Sequence, residues 1–236
     1  MTTPLRLDKR LAAQLQCSRA QARHYIEGGW VSVDGVVVET PQTLVAGETL
    51  ALAPGADGEP AEPATLLLNK PAGCDAEALS ALLREDKRFA DDASGTRLLH
   101  RHFQRLQSPM PLDADACGLL VLTQDWRVRK HLLDAGPSLE QEFMVDVEGE
   151  AGPWTLAKLA HGLHHAGRAL PACKVSWQSE QRLRFAIKDV RAGQLQHMCE
   201  QVGLHATQVR RLRIGRIGLS KMPEGQWRYL AAGQRF

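Results

Sequence analysis

The spacing of hydrophobic and polar positions changes along the chain, from a helical period near the N-terminus to the short apolar runs of strands after residue 65. Leu7, Leu11 and Leu15 recur at helical spacing. This spacing predicts an amphipathic helix whose apolar stripe packs inward.

The next stretch predicts a second helix and a hairpin. Ser18 and Gln21 stand three residues apart, as the N-cap and third position of a capping box do, so we predict that a helix begins after Ser18. The valine-rich stretches 31–33 and 36–38 flank Asp34-Gly35. Because this dipeptide adopts the positive φ angles of a two-residue turn, the stretches are predicted to pair as a tight hairpin.

Beyond a Pro-, Gly- and acid-rich linker at residues 54–65, apolar runs too short for long helices alternate with helix-like stretches. Strands are predicted at residues 66–68, 119–122, 143–147, 175–177 and 183–187, and helices at 76–83, 128–133, 154–163 and 194–202. This order predicts an α+β fold with a mixed, mainly antiparallel sheet and flanking helices. The acidic stretch 85–95 is predicted to be an exposed loop.

Composition is that of a globular chain, with 44% hydrophobic and 24% charged residues over 236 positions. No apolar run approaches the roughly 20 residues that span a bilayer. The five cysteines contain no Cys-x-x-Cys pair, so neither a disulfide framework nor a metal site is indicated. We expect a cytoplasmic protein that holds no metal and contacts no membrane.

The net charge of +2 says little about partners, but basic residues cluster near the N-terminus. Arg6, Lys9 and Arg10 lie beside the first apolar stripe. Arg19 and Arg23 are one helical turn apart and therefore project from one face, where two guanidinium groups can grip neighbouring phosphates. A solvated helix face is the alternative explanation of such a cluster.

One carboxylate has the setting of a catalytic acid. Asp113 lies in a loop of small residues that leads into the apolar run 119–122, and Gly118 allows the backbone to approach another segment closely before that run begins. An Asp in such a place can equally be a turn or cap residue, so the pattern alone leaves both roles open.

The first 53 residues resemble the alpha-L RNA-binding domain. The resemblance is carried by Arg6-Leu7-Asp8-Lys9, Ser18-Arg19, Gly29, Val33-Asp34-Gly35 and Gly47-Glu48. It implies that RNA is bound by the basic residues Arg6, Lys9, Arg10, Arg19 and Arg23.

The remainder resembles RNA pseudouridine synthases of the small ribosomal subunit synthase A family, in its large-subunit synthase F-like branch. The matching motifs are LNKPAG at 68–73, PLDADACGLLVLT at 111–123, QEFMV at 141–145, QLQHMCE at 194–200, RLRIG at 211–215 and GQWRYL at 225–230. The resemblance implies a long sheet in two halves with the active cleft between them. It assigns Asp113 as the essential acid, and it assigns substrate binding to Phe143, Lys70, Gln194, Arg211 and Arg213. Phe143 as an ordinary core residue of a strand is the competing interpretation.

Taken together, the resemblances predict an alpha-L domain at residues 1–53, a linker at 54–65 and a catalytic domain at 66–236. The implied function is the conversion of a specific uridine in ribosomal RNA to pseudouridine by a monomer that uses no cofactor. Two family arginines are replaced, by Pro111 and Gln196, and the family's usual tyrosine is Phe143. A second hypothesis is therefore an RNA-binding protein of ribosome assembly that keeps the fold without the chemistry.

Overall fold

The computed structural model describes residues 3–161 and 163–236, and the chain forms two compact units. The first unit comprises the chain up to Pro63 together with Arg97–Gln104, and the second comprises Ala64–Thr96 and Arg105–Phe236. Arg97–Gln104 thus groups with the first unit, although the sequence division places it in the catalytic domain. The segment is tied to the first unit because Arg97 Nη1 donates to the Gly29 carbonyl at 2.8 Å and its guanidinium lies over the Trp30 ring.

Two α-helices and five short strands build the described part of the first unit, together with a short 3-10 helix at His100–Phe103. They are β1 (Leu5–Arg6), α1 (Leu7–Leu15), α2 (Arg19–Glu27), β2 (Val31–Val33), β3 (Val36–Val37), β4 (Leu44–Val45) and β5 (Leu50–Leu52). Strand β2 lies between β3 and β5, and β1 pairs with β4, all antiparallel.

The predicted local features of this unit are confirmed. Leu7 and Leu11 are fully buried, and the Ser18 hydroxyl accepts the Gln21 backbone N–H at 3.1 Å. At the hairpin turn, Asp34 and Gly35 have φ angles of +49° and +83°. Both angles are positive, as the mirror-image turns of tight hairpins require.

The described part of the second unit contains the larger sheet and four α-helices, together with a short 3-10 helix at Glu85–Lys87. Its elements are β6 (Thr65–Lys70), α3 (Ala76–Leu82), β7 (Cys117–Thr123), α4 (Trp126–Ala135), β8 (Gln141–Glu148), α5 (Thr155–Ala160), β9 (His164–His165), β10 (Arg168–Ala169), β11 (Lys174–Ser179), β12 (Arg182–Ile187), α6 (Gln194–Glu200), β13 (His205–Ile214), β14 (Ile217–Gly218) and β15 (Trp227–Tyr229). Every predicted strand and helix has its counterpart here, with α5 shorter than expected. The ten-residue β13 was not predicted as a strand.

The sheet has the strand order β11-β12-β8-β13-β7-β6-β15, and β14 pairs with β13. The central β13–β7 pair is parallel and the other pairs are antiparallel. The prediction of a mixed, mainly antiparallel sheet is therefore confirmed. One apolar core contains Phe143 and Phe185 on the β8–β12 side, and another contains Leu119 and Leu132 on the β7 side.

The prediction of an exposed loop at 85–95 is wrong for its central part. The Phe89 N–H donates to the carbonyl of Trp227 at 2.7 Å. The Asp92 side chain is only 3% exposed and accepts hydrogen bonds from Arg88 Nε at 2.8 Å and from the Tyr229 N–H at 3.3 Å. The segment is thus attached to β15, because its polar groups pair with that strand.

Candidate active site and nucleic-acid interface

Asp113 lies in the loop before β7 and lines a cavity of about 520 Å³ in the second unit. Phe143, Arg191 and Arg211 line the same cavity. Asp113 Oδ2 accepts a hydrogen bond from the Gly193 N–H at 2.9 Å. Over residues 3–161 and 163–236, no Lys, Arg or His forms an ion pair with this carboxylate. The carboxylate is therefore oriented by the backbone and accessible from the cavity.

Lys70 fixes the backbone of the Asp113 loop. Its Nζ donates to the carbonyl oxygens of Ala116 at 2.7 Å, Ala114 at 2.9 Å, Pro71 at 3.1 Å and Asp113 at 3.2 Å. Burial lowers the pKa of Lys70, and the neighbouring ionisable groups partly oppose that effect. Lys70 does not line the cavity. The structure thus places it beneath the loop, where it determines the loop's shape.

Arg211 is 2% exposed, and its hydrogen bonds hold together the segments on the other side of the cavity. Its guanidinium donates to the carbonyl oxygens of Leu119 at 2.7 Å, Met110 at 2.8 Å and Pro111 at 3.2 Å, and to the side-chain oxygen of Gln141 at 3.3 Å. These bonds join β13 to β7, β8 and the segment that leads into Asp113.

The positive charge of Arg211 is held near Asp113 without a direct hydrogen bond. Burial lowers the pKa of Arg211 to about 9, against the opposing influence of the Asp113 charge, so the guanidinium remains cationic at neutral pH. At the family arginine position, the Gln196 amide contacts Asp115 Oδ2 at 3.4 Å. Arg211 is therefore a cation whose field acts on the Asp113 site despite the replacement at Gln196.

Phe143 fits both interpretations offered for it, since it lines the cavity and also packs in the core at 2% exposure. Gln194 does not line the cavity. It is fully buried, and its side-chain oxygen accepts the Arg191 backbone N–H at 3.1 Å. Gln194 thus positions the chain at Arg191, which does line the cavity.

Arg213 also lies outside the cavity, because a β-bulge separates it from Arg211. Across β8, Arg211 pairs with Phe143 whereas Arg213 pairs with Glu142. Consecutive residues of a strand face opposite sides, so the bulge turns Arg213 away from the cavity. Its guanidinium instead forms ion pairs with Glu140 at 2.7 Å and Glu142 at 3.2 Å.

In the first unit, the buried carboxylate of Asp8 holds two of the predicted RNA-binding arginines. Asp8 accepts hydrogen bonds from Arg6 at 2.9 and 3.1 Å and from Arg19 at 3.0 Å. Burial acts to raise the pKa of Asp8, but the two arginines outweigh it and lower the value. The Arg6 and Arg19 side chains stay 43% and 57% exposed. They are therefore held at the surface of α1 and α2.

The other predicted RNA-binding residues differ in solvent exposure and in the contacts of their side chains. Lys9 and Arg23 are exposed, and Arg23 contacts Glu27 at 3.3 Å on its own helix. Arg10 is directed at Glu48, with a hydrogen bond to the backbone carbonyl and an ion pair to the carboxylate at 3.5 Å. Of Lys9, Arg10 and Arg23, Arg10 is thus the residue most engaged in contacts inside the first unit.

Within the described ranges, no group of three His, Cys, Asp or Glu side chains is arranged as a metal site requires. None of the helices there combines the length and apolar character that crossing a membrane needs.

Comparison with known proteins agrees with this architecture. The S4 domain model matches residues 5–49. A solved structure described as a pseudouridylate synthase covers 96% of both chains with a TM-score of 0.60 at 21% identity. This likeness shows that the fold is that of a pseudouridylate synthase.

Relatives extend the match to the sequence. The dual-specificity RNA pseudouridine synthase RluF of Salmonella typhi is 29% identical over 97% of this chain and 76% of its own. An RNA pseudouridine synthase of Aquifex aeolicus is 28% identical over 96% and 92% of the two chains. The ribosomal small subunit pseudouridine synthase A of Salmonella typhimurium is 28% identical over 96% of each. The chain is thus similar over nearly its whole length to RNA pseudouridine synthases, and its N-terminal residues match an S4 domain. Within this class, its relatives include both the RluF and the small-subunit synthase A types.

Proposed function

We propose that this protein converts a uridine of ribosomal RNA to pseudouridine in the cytoplasm, acting as a monomer with Asp113 as its essential acid. The observation that carries the proposal is that Asp113 and Phe143 line one cavity of about 520 Å³. The cavity combines a reactive carboxylate with an apolar wall against which a flipped base can stack.

The reaction needs one carboxylate and no change in oxidation state. The bond between N1 of the base and C1′ of the ribose breaks, the base turns, and C5 bonds to C1′ while the C5 proton is lost and N1 gains one. An ionised Asp113 serves as the nucleophile, attacking base or sugar, or as the base that removes a proton on the way to a glycal. The three routes share the requirement for a charged, correctly placed carboxylate.

Three features of the site support the placement of a charged Asp113 carboxylate. Lys70 holds the loop carbonyls, the Gly193 N–H orients Oδ2, and Arg211 contributes a buried positive charge. In this proposal the RNA is bound by residues 1–53 through Arg6, Lys9, Arg10, Arg19 and Arg23. The unit that contains Asp113 carries out the isomerisation.

The test is to map pseudouridines in ribosomal RNA from cells with and without the gene, and then to incubate the RNA from the deletion strain with purified protein. A single class of uridine should be unmodified in the deletion strain and become modified in vitro.

The competing function, RNA binding in ribosome assembly without chemistry, has one observation in its favour. Asp113 has no ion pair among the described residues, and the family arginine is Gln196. Absence of conversion by the natural protein and by a Gln196→Arg, Pro111→Arg double variant, with RNA binding intact, would establish that function instead.

A further inference from the structure

A second cavity adjoins the Asp113 cavity. It has a volume of about 430 Å³ and shares Pro137, Asp189 and Arg191 with the first cavity. Its remaining wall is the β9–β10 hairpin, which contributes His165 and Arg168. The two cavities are therefore neighbours on either side of Arg191.

The second cavity is rich in donors for an anion. Two arginines, Arg168 and Arg191, and one aspartate, Asp189, line it. Arg191 is 46% exposed, and its Nη2 lies 3.9 Å from Asp189 Oδ2, too far for a hydrogen bond. Arg168 is exposed and forms no ion pair with any residue that the structure describes. Both side chains thus keep donors for an incoming group.

The hairpin is attached to the element that orients Asp113. The Gln201 side chain, after the end of α6, donates to the backbone carbonyl of His164 at 2.6 Å. The His165 and His197 rings lie 5.3 Å apart. Before the start of the same helix, the Gly193 N–H binds Asp113. Eight residues of helical rise correspond to about 12 Å, so α6 sets a fixed spacing between the catalytic carboxylate and the hairpin.

We propose that this second cavity binds a backbone phosphate of the RNA next to the target uridine, with Arg168 as its dedicated ligand and Arg191 shared between the two cavities. The proposal rests on the proposed function, because it is the uridine in the first cavity that brings a phosphate to the second. Arginine suits this role, since its planar fork donates two parallel hydrogen bonds to phosphate oxygens. Such a contact fixes the register of the RNA without reading its bases.

The discriminating variant is Arg168→Gln, because Arg168 lines the second cavity and not the Asp113 cavity. The matched control is Arg182→Gln, which removes another exposed guanidinium, at the first position of β12. For binding, the probe is a short single-stranded oligouridylate, measured over a range of salt concentrations. The log–log salt slope should fall by about 0.7 for Arg168→Gln, be restored in Arg168→Lys, and stay unchanged for Arg182→Gln.

A second measurement uses the same oligouridylate with neutral methylphosphonate linkages. Substitution should weaken binding of the natural protein and of Arg182→Gln, and should have a smaller effect on Arg168→Gln because the phosphate's partner is already gone. For turnover on ribosomal RNA, Arg168→Gln should raise KM about tenfold and leave the single-turnover rate at saturating RNA within about twofold, as expected when a residue serves binding alone.

Equal salt slopes for Arg168→Gln and Arg182→Gln, or equal sensitivity to the neutral linkages, would overturn the phosphate site. Failure of the natural protein to convert uridine in any ribosomal RNA would instead overturn the proposed function. In that case the binding measurements with oligouridylate still decide whether Arg168 contacts a phosphate.

Discussion

The backbone nitrogen of Arg211 lies 2.9 Å from the position that a Cβ atom on Gly118 would occupy, and the carbonyl oxygen of Arg211 is closer still. Gly118 has a φ angle of +101°, and its strand runs parallel to β13 at this point. The side-chain-free residue therefore allows β7 and β13 to come together where Arg211 reaches across beside the Asp113 loop. The close approach expected from Gly118 in the sequence is confirmed, and its partner is Arg211.

Gly118→Ala should lower the free energy of unfolding by about 2–4 kcal/mol, since the methyl group meets backbone that cannot move aside and the φ angle is unfavourable. Urea unfolding measures the change. Gly95→Ala is the control, because Gly95 has a φ of +68° but open space around its Cβ position. It should cost about 1 kcal/mol from the backbone angle alone. Equal losses for the two variants would contradict the steric argument.

Lys70→Met should destabilise the second unit by about 3 kcal/mol and reduce turnover, because four carbonyl oxygens lose their shared donor. Unfolding in urea and single-turnover kinetics below the unfolding range separate the two effects. Lys221→Met, at an exposed position, should be neutral in both. Normal turnover in a folded Lys70→Met protein would show that the loop keeps its shape without the lysine.

Asp113→Asn should abolish isomerisation and leave RNA affinity nearly unchanged, since the amide keeps the shape of the side chain and loses the charge. Tritium release from labelled RNA and filter binding measure the two properties. Asp115→Asn is the control, because Asp115 contacts Gln196 and does not line the cavity. Similar losses at both positions would indicate a structural role of the loop.

In the first unit, replacing Arg19 and Arg23 together by Ala should reduce the slope of RNA affinity against salt by about 0.7 to 0.9 for each phosphate that is no longer bound. Arg10→Ala should change the slope less, because Arg10 is directed at Glu48. Filter binding over a range of salt concentrations checks both. An unchanged slope in the double variant would favour a solvated or protein-facing surface.

The first unit should lose stability in acid through His102. Burial, followed by the charge of Arg101, lowers the pKa of His102 from 6.5 to about 4. As pH falls below about 6.5, His102 becomes protonated in the unfolded chain while it stays neutral in the folded chain. The contribution of this histidine is therefore fully present above pH 6.5 and is lost as pH falls towards 4.

Urea titrations followed by amide NMR signals of α1 at several pH values measure this effect. His102→Leu should flatten the acid decline, whereas His205→Gln, at an exposed position, should preserve it. An acid decline that is the same in all three proteins would show that other groups cause it.

Much of the fold could be predicted because its signals are local. Asp34-Gly35, Ser18 with Gln21 and the apolar run of β7 act on their own few residues, and each formed the expected element. The cleft residue Asp113 came from a resemblance over a short motif, since its loop has no periodicity of its own.

The remaining features depend on partners that are distant in the sequence. Arg211 bonds to Met110 and Leu119 across about a hundred residues, and Lys70 reaches carbonyls more than forty positions away. A one-residue bulge directs Arg213 away from the cavity, although the i, i+2 spacing predicts that it shares a face with Arg211. The signal that could have indicated Lys70's role is its place at the end of an otherwise buried apolar strand, where an ammonium group needs several acceptors.

The grouping of Arg97–Gln104 with the first unit changes how the S4 module can be exchanged between proteins. The chain passes from one unit to the other three times, after Pro63, Thr96 and Gln104. Within the first unit, Arg97 donates to the Gly29 carbonyl and stacks on Trp30, and Leu99 is buried. Deletion of residues 1–53 would remove Gly29 and Trp30 and leave Arg97 and the buried side chain of Leu99 without these neighbours. An exchange of the whole first unit between two proteins must therefore carry two separate stretches of gene, one ending at Pro63 and one encoding Arg97–Gln104.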